Sequence, residues 1–245
     1  MNSNNNEYLA NGKIGKLMVK FSLPCIISLL VSSLYNIVDQ IFIGRGIGFL
    51  ANGATNVVFP ITILALSVAL MIGDGCAAFL SISQGRKDQE NIHRSIGNAT
   101  TLLIVSSVLL TIFFTLTRDS ILVSFGATEN NIDYAKDYFD IVILGIPFFV
   151  ITNGLSPVIR SDGSPKFAML ATLVGCVINL ILDPIAIFVL KWGVSGAAIA
   201  TVVGQGVSAI LVLYYLFHTK SAKLKKSSFV VKKSLLANIV PLGIS

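Results

Sequence analysis

The chain alternates six long apolar runs with short charged stretches. Residues 21–38, 46–73, 95–117, 141–159, 167–182 and 192–217 contain no Asp, Glu, Lys or Arg. A helix needs about 20 mostly apolar residues to cross a bilayer, so each run predicts one spanning helix. The first and fifth reach full length only when Asp39 and Asp183 are taken inside them. The expected spans cover residues 17–44, 54–82, 95–117, 134–159, 167–190 and 193–217, an all-α, polytopic transmembrane six-helix bundle.

Breakers and turns punctuate this pattern. Pro24 lies near the start of the first span, and Pro60 and the run GDG (Gly73, Asp74, Gly75) interrupt the second. The polar stretch QGRKDQENIHR precedes the third, and Pro147 and Pro157 fall in the fourth. RSDGSPK (160–166) reads as a tight turn, because Gly and Pro supply turn geometry. Residues 220–233 are rich in Lys and Ser and read as a solvated basic linker after a lobe of residues 1–219.

Composition agrees. Of 245 residues, 54% are hydrophobic and 12% charged, where a soluble domain carries about 25% charged residues. The polar, Asn-rich opening and the length of the first apolar run do not suit a cleaved signal peptide. Cys25, Cys76 and Cys176 fall within spans without metal-ligand spacing, which argues against a disulfide framework. A net charge of +6 could suggest nucleic acid, but its distribution points to orientation. With six spans, both termini share a side; that side receives fourteen Lys and Arg and the other only Arg45, Arg118, Lys136 and Lys191. The excess marks the cytoplasmic face. The expected placement is therefore a multi-pass protein of the cell membrane, in contact with lipid, with a cytoplasmic N-terminus and no nucleic-acid partner.

Carboxylates at membrane depth are costly and mark ion or proton pathways. Asn179 and Asp183 stand four residues apart on one helical face, and Pro184 disrupts the backbone bond to the Leu180 carbonyl. That oxygen set suits a hard cation, and a carboxylate alone suits a proton. Asp39 lies six residues before Arg45, about 9 Å along the helix, and Asp183 eight before Lys191, about 12 Å. The two carboxylates share a depth and could share a cavity; an Asp that merely fixes helix packing is the competing reading. Thr201 lies in the same half of the sixth span, with Gln205 one turn deeper, although a lone Thr more often bonds its own helix. Gly193, Gly196, Ala197, Ala200, Gly204 and Ala209 give that span a small-residue surface for close packing. Asn36 sits near Asp39 and can join its network or only pack. Asp74 lies toward the cytoplasmic end of the second span and reads as a hydrated cavity residue. An intramembrane aspartyl protease would want GxGD and YD, but Met71 and Val38 occupy the diagnostic positions. No enzyme, resident metal or cofactor is expected. His93 and His218 fall at cytoplasmic edges, where solvation explains them.

KSLLANIVPLGIS (233–245) resembles KLMVKFSLPCIIS (16–28) at a constant offset, with Lys16, Pro24, Ile27 and Ser28 matching Lys233, Pro241, Ile244 and Ser245. Internal repeats are common in transporters. Residues 234–245 thus read as the start of a seventh helix, and the chain as half of a longer transporter lacking its C-terminal lobe.

On KFSLPCIISLLVSSLYNIVDQIFIGR, ISQGRKDQENIHRSIGNA, VIRSDGSPK, INLILDPIAIF and GVSGAAIATVVGQG, the chain resembles the multidrug and toxic compound extrusion (MATE) transporters. The resemblance implies one lobe of a two-lobe, twelve-helix secondary transporter that exports small organic, cationic compounds in exchange for H+ or Na+. It implies Asp39 as the coupling carboxylate, with Asn179, Asp183 and Thr201 completing the ion site and Pro24 as a hinge. Asn36, Gln205 and Asp74 form a possible secondary polar network. Two further readings are a lipid-linked oligosaccharide flippase of the same superfamily, whose cavity is typically more cationic, and a non-transporting membrane remnant.

Overall fold

The computed structural model describes residues 13–230, 239 and 241–243. Among the residues through Tyr215, seven α-helices follow one another: α1 (Ile14–Gly46), α2 (Phe49–Gly85), α3 (Gln89–Leu116), the short α4 (Arg118–Ser124), α5 (Ile132–Ser161), α6 (Pro165–Pro184) and α7 (Gly193–Tyr215). Six of them are long and apolar enough to cross a membrane. The polytopic helical bundle expected from the apolar runs is what forms.

Several helices run past their uncharged segments. The third begins at Gln89 because Asp88 caps it, accepting the Asn91 backbone N–H at 3.1 Å and satisfying a donor that a helix start leaves orphaned. That same N–H holds the Asp88 carboxyl below its ordinary value. The first helix continues through Pro24. Beyond Pro184 the helix widens into a π turn over Ile185–Val189, with the Leu190 N–H reaching Ile185 O at 2.9 Å, a local response to proline's missing donor and bulky ring.

The core centres on α5, which packs against α2, α3, α6 and α7. Phe139, Ile146, Val150 and Leu155 of α5 are buried there with Ile61 and Leu80 of α2 and Leu103 of α3. Lipid tails are as apolar as Leu, so helix association in a bilayer leans on close backbone approach. Two glycine crossings supply it. At Gly73 of α2 an added Cβ would strike the Gly154 carbonyl of α5. At Gly204 of α7 it would lie 2.6 Å from Gly175 O of α6. The α6–α7 crossing is tied further by Ser208 Oγ, which donates to Ala171 O at 2.9 Å.

The first helix is the exception. Of its residues only Pro24, Asp39 and Ile43 are buried, and it leans chiefly on α6. Leu23, Leu29, Leu30, Leu34 and Ile37 stay exposed, in keeping with an apolar surround.

After α7 the chain departs from the expectation of a solvated linker. Lys220, Lys223 and Lys225 are exposed, but Ser228 is fully buried. Asp162, in the α5–α6 turn, accepts from Tyr215 Oη at 2.6 Å and from the backbone N–H groups of Lys220 (2.7 Å) and Ser221 (2.9 Å). Further on, Asn98 Nδ2 donates to Ser228 O at 3.0 Å, beside Gly97, whose missing side chain admits Ser228. The correction has a plain cause: charge density predicts solvation of lysine side chains but says nothing of where the backbone between them docks. The rest of the expected linker, 231–233, and much of the expected seventh-helix start at 234–245 lie outside the described residues; Ile239 and residues 241–243 are helical.

Overpacking a crossing costs about 1–3 kcal/mol. Gly204→Leu is therefore expected to lower the melting temperature of the detergent-solubilised protein more than Gly206→Leu, since a Cβ at Gly206 meets only Phe148 ring carbons at 3.9 and 4.0 Å.

Candidate ion-coupling site

The α6–α7 crossing sets the site. One turn along α6 from Gly175 stands Asn179, and a Cβ at Gly204 would lie 3.2 Å from Asn179 Cβ. That proximity brings Thr201, three residues before Gly204, against the Asn179 amide. The amide donates to Asp183 Oδ2 at 3.1 Å, while its oxygen accepts from Thr201 Oγ1 at 3.2 Å and from the Thr201 backbone N–H at 3.1 Å. The opposite rotation would set Nδ2 3.2 Å from Thr201 Oγ1 and turn a donor toward the Thr201 N–H. Donor and acceptor complementarity decides for the first arrangement.

Asp39 of α1 completes the cluster. Its side chain is 5% exposed and that of Asp183 0%, and the two carboxyls stand within hydrogen-bond reach of each other. When ionised both are acceptors only, so their contact becomes a bond only if a proton or cation sits between them. Consistent with that, Asp39 Oδ1 meets no protein donor among the described residues. Gln40 Nε2 approaches Asp39 Oδ2 at 3.5 Å, the outer limit of a hydrogen bond. Gln40 is itself steadied from α2, where Thr55 Oγ1 donates to its Oε1 at 3.2 Å.

Two tyrosines join them. Tyr35 stands near Asp39, Asp183 and Cys176, and Tyr138 of α5 lies close to Thr201 and both carboxyls. Sequence reasoning missed both. Tyr35 was within reach, since it precedes Asp39 by four residues and shares its helical face. Tyr138 gave no such signal, because in KDYFD it reads as an interfacial aromatic.

The other candidates stand apart. Asn36 turns back on its own helix, donating to Ser32 O at 2.7 Å. Gln205 packs toward α5, its Oε1 lying 2.9 Å from where a Gly145 Cβ would be. Asp74 is exposed and lines a separate cavity of about 790 Å³ with Ser22, Cys25, Lys87 and Arg160. Pro24 sits within unbroken helix, its carbonyl accepting from Ser28 Oγ at 2.9 Å. Among the described residues no group of three or more His, Cys, Asp or Glu is placed to hold a metal.

Comparison with known proteins gives this geometry a family. The MatE family model matches residues 24–185. The multidrug export protein MepA of Staphylococcus haemolyticus (strain JCSC1435) is 32% identical over 250 residues, covering 97% of this chain and 53% of the relative. The probable multidrug resistance protein YoeA of Bacillus subtilis (strain 168) is 26% identical, covering 94% and 52%. A crystal structure of MATE in the bent conformation superposes with a TM-score of 0.89 at 27% identity, covering 98% of this chain and 54% of the other. One in the straight conformation gives 0.87 at 29% identity with the same coverage. The chain spans about half the length of the curated relatives it matches. With six spans folded as a MATE N-terminal lobe around a buried carboxylate pair, the chain belongs to the MatE family of multidrug efflux transporters.

Proposed function

We propose that this chain is the N-terminal lobe of a secondary antiporter that exports small organic, cationic compounds in exchange for a coupling cation, H+ or Na+. The observation that carries this reading is the Asp39–Asp183 contact. Burying two facing carboxylates is unfavourable unless a positive charge offsets them. Arrival of that charge reduces the site's negative charge from two to one and weakens its hold on a cationic substrate; its departure restores the hold. A shared proton fits the facing carboxyls directly, with the Asn179 amide and Thr201 fixing Asp183. The same oxygens, with the Thr201 hydroxyl, are the hard donors a Na+ ion takes. Pro24 is the hinge in this reading, because its missing N–H weakens α1 where that helix buries little.

In this reading the lobe comprises residues 1–219 and is followed by the cytoplasmic basic linker, 220–233, and by the start of a seventh helix, 234–245. The fourteen-to-four split of Lys and Arg supports a cytoplasmic N-terminus in the cell membrane.

In the full-length protein, Asp39→Asn and Asp183→Asn should each reduce drug resistance to the level of cells without the transporter, at unchanged membrane abundance. Retained efflux in both variants rejects the coupling role. Comparing efflux driven by a proton gradient with efflux driven by a sodium gradient then identifies the ion. Thr201→Ala should slow efflux about fivefold, the worth of one hydrogen bond of about 1 kcal/mol, with Thr201→Ser restoring it. Residues 1–245 reconstituted alone should show no ethidium efflux, since the substrate cavity in this reading needs both lobes.

A further inference from the structure

The cavity of about 790 Å³ that Asp74 lines has no part in the ion site. It opens because α1 leans chiefly on α6, so the start of α1 stands off α2 and leaves a gap between α1, α2 and α5. Ser22 of α1, Asp74 of α2, Lys87 of the α2–α3 turn, and Arg160 and Ser161 at the end of α5 line it. Ser22 precedes Asp39 on α1 by roughly 25 Å of helix at 1.5 Å per residue, so the two sites are distinct. The polar groups of the cavity are unmatched. Among the described residues, no ion pair or hydrogen bond engages the side chains of Lys87, Arg160, Ser22 or Ser161. Arg160 is half-buried, where a guanidinium normally finds acceptors for its N–H groups. Asp74 is near enough to feel the Arg160 charge but stands beyond ion-pairing distance of it.

We propose that this cavity binds the headgroup of an anionic phospholipid, a phosphate diester whose outer end carries hydroxyls. Lys87 and Arg160 against Asp74 leave one positive charge, which the single charge of a phosphodiester balances. The two cations, with the Ser22 and Ser161 hydroxyls, supply donors for the phosphate oxygens. An ionised Asp74 is an acceptor only, so it repels the phosphate and selects a headgroup whose far end donates hydrogen bonds. A glycerol headgroup does so. The level in the membrane also fits: Lys87 and Arg160 stand at helix ends on the side rich in Lys and Arg, and basic pockets between spanning helices on that side are where acidic headgroups bind. Phe21 and Pro157 add apolar wall, and Ile26, one turn along α1 from Ser22, is exposed. A soluble phosphate ester makes the same polar contacts but leaves that apolar surface uncovered, which favours the lipid. Pro24 lies between Ser22 and Cys25 on the cavity wall, so a seated lipid wedges the start of α1 away from α2. That last consequence bears on the transporter reading above; the binding itself rests only on the lobe spanning a bilayer.

The experiment uses the full-length protein in detergent, with native mass spectrometry counting bound dioctanoyl phosphatidylglycerol as its concentration rises. The parent should show one saturable site. Lys87→Gln combined with Arg160→Gln should weaken it by about tenfold or more, the loss of two charge-assisted hydrogen bonds. Lys166→Gln, exposed at the same end but outside the cavity, should leave it unchanged. The parent should also prefer phosphatidylglycerol about tenfold over phosphatidylmethanol, which has the same charge and no hydroxyl, and Asp74→Ala should erase that preference. Should the double variant fail to insert, Lys87→Gln alone, at an exposed turn, decides. Unchanged affinity in the cavity variants overturns the site and leaves its cations to the remainder of the full-length protein. Equal binding of the two lipids by the parent overturns the choice of headgroup. Glycerol phosphate that displaces the lipid at equal concentration overturns the lipid in favour of a soluble ester. The readout needs no transport, so a failed coupling role for Asp39 and Asp183 would leave it standing.

Discussion

Two buried carboxyls facing each other across α1 and α6 are the constraint on which the proposed coupling depends. Elsewhere among the described residues, ion pairs sit toward helix ends: Arg94 with Glu90, Arg118 with Asp140 and Lys136 with Asp119. Those pairs are partly solvated and worth little. Among the described residues, Asp39 and Asp183 have no cationic side chain within ion-pairing distance. Their contact changes from repulsive to attractive when a single positive charge arrives. A charge change matters most where it acts on a weakly held element. The first helix buries only Pro24, Asp39 and Ile43 along 33 residues, so this contact is a large share of what ties it to the bundle.

The remaining helices form the body against which α1 can shift. The most buried helix, α5, meets α2 at the Gly73–Gly154 crossing, and α6 meets α7 at Gly175–Gly204. Such crossings have no adjustable side chains between them and so transmit displacement with little give. The second of them lies one turn from Asn179 and Thr201, which keeps the Asp183 half of the pair fixed. The pair is thus asymmetric: Asp183 is fully buried and bonded, whereas Asp39 sits on the loose helix with one oxygen lacking a protein donor.

Much of this was legible in the residue pattern. Uncharged runs revealed the spans, because a bilayer permits little else. Four-residue spacing placed Asn179 and Asp183 on one face, and counting residues to Arg45 and Lys191 put Asp39 at the same depth. Partner choice was not legible. The small surface of the sixth span was visible, but not that Gly204 would meet Gly175, because the interhelical register depends on both helices at once. Tyr138 escaped for the same reason: its neighbours come from α1, α6 and α7, and none is close in sequence. The ordering of the chain after α7 escaped because it rests on backbone hydrogen bonds to Asp162 and Asn98, which composition does not encode.

The placement of the fixed points has a mechanical consequence. Asp162 gathers three donors from the exit of α7, and Asn98 holds the backbone at Ser228, so the end of the lobe that carries the linker is pinned. Pro24 and Asp39 are fifteen residues apart, about 22 Å of helix at 1.5 Å per residue. A bend of about 10° at Pro24 would carry Asp39 roughly 4 Å over that lever, enough to part it from Asp183. Because α1 contributes so little to the core, the packing opposing such a bend is small, and the electrostatic contact is comparable with what resists it. In the proposed antiporter, a carboxyl contact at the far end of a lightly packed lever, with the opposite end of the body pinned, would let one bound cation select between two positions of a helix.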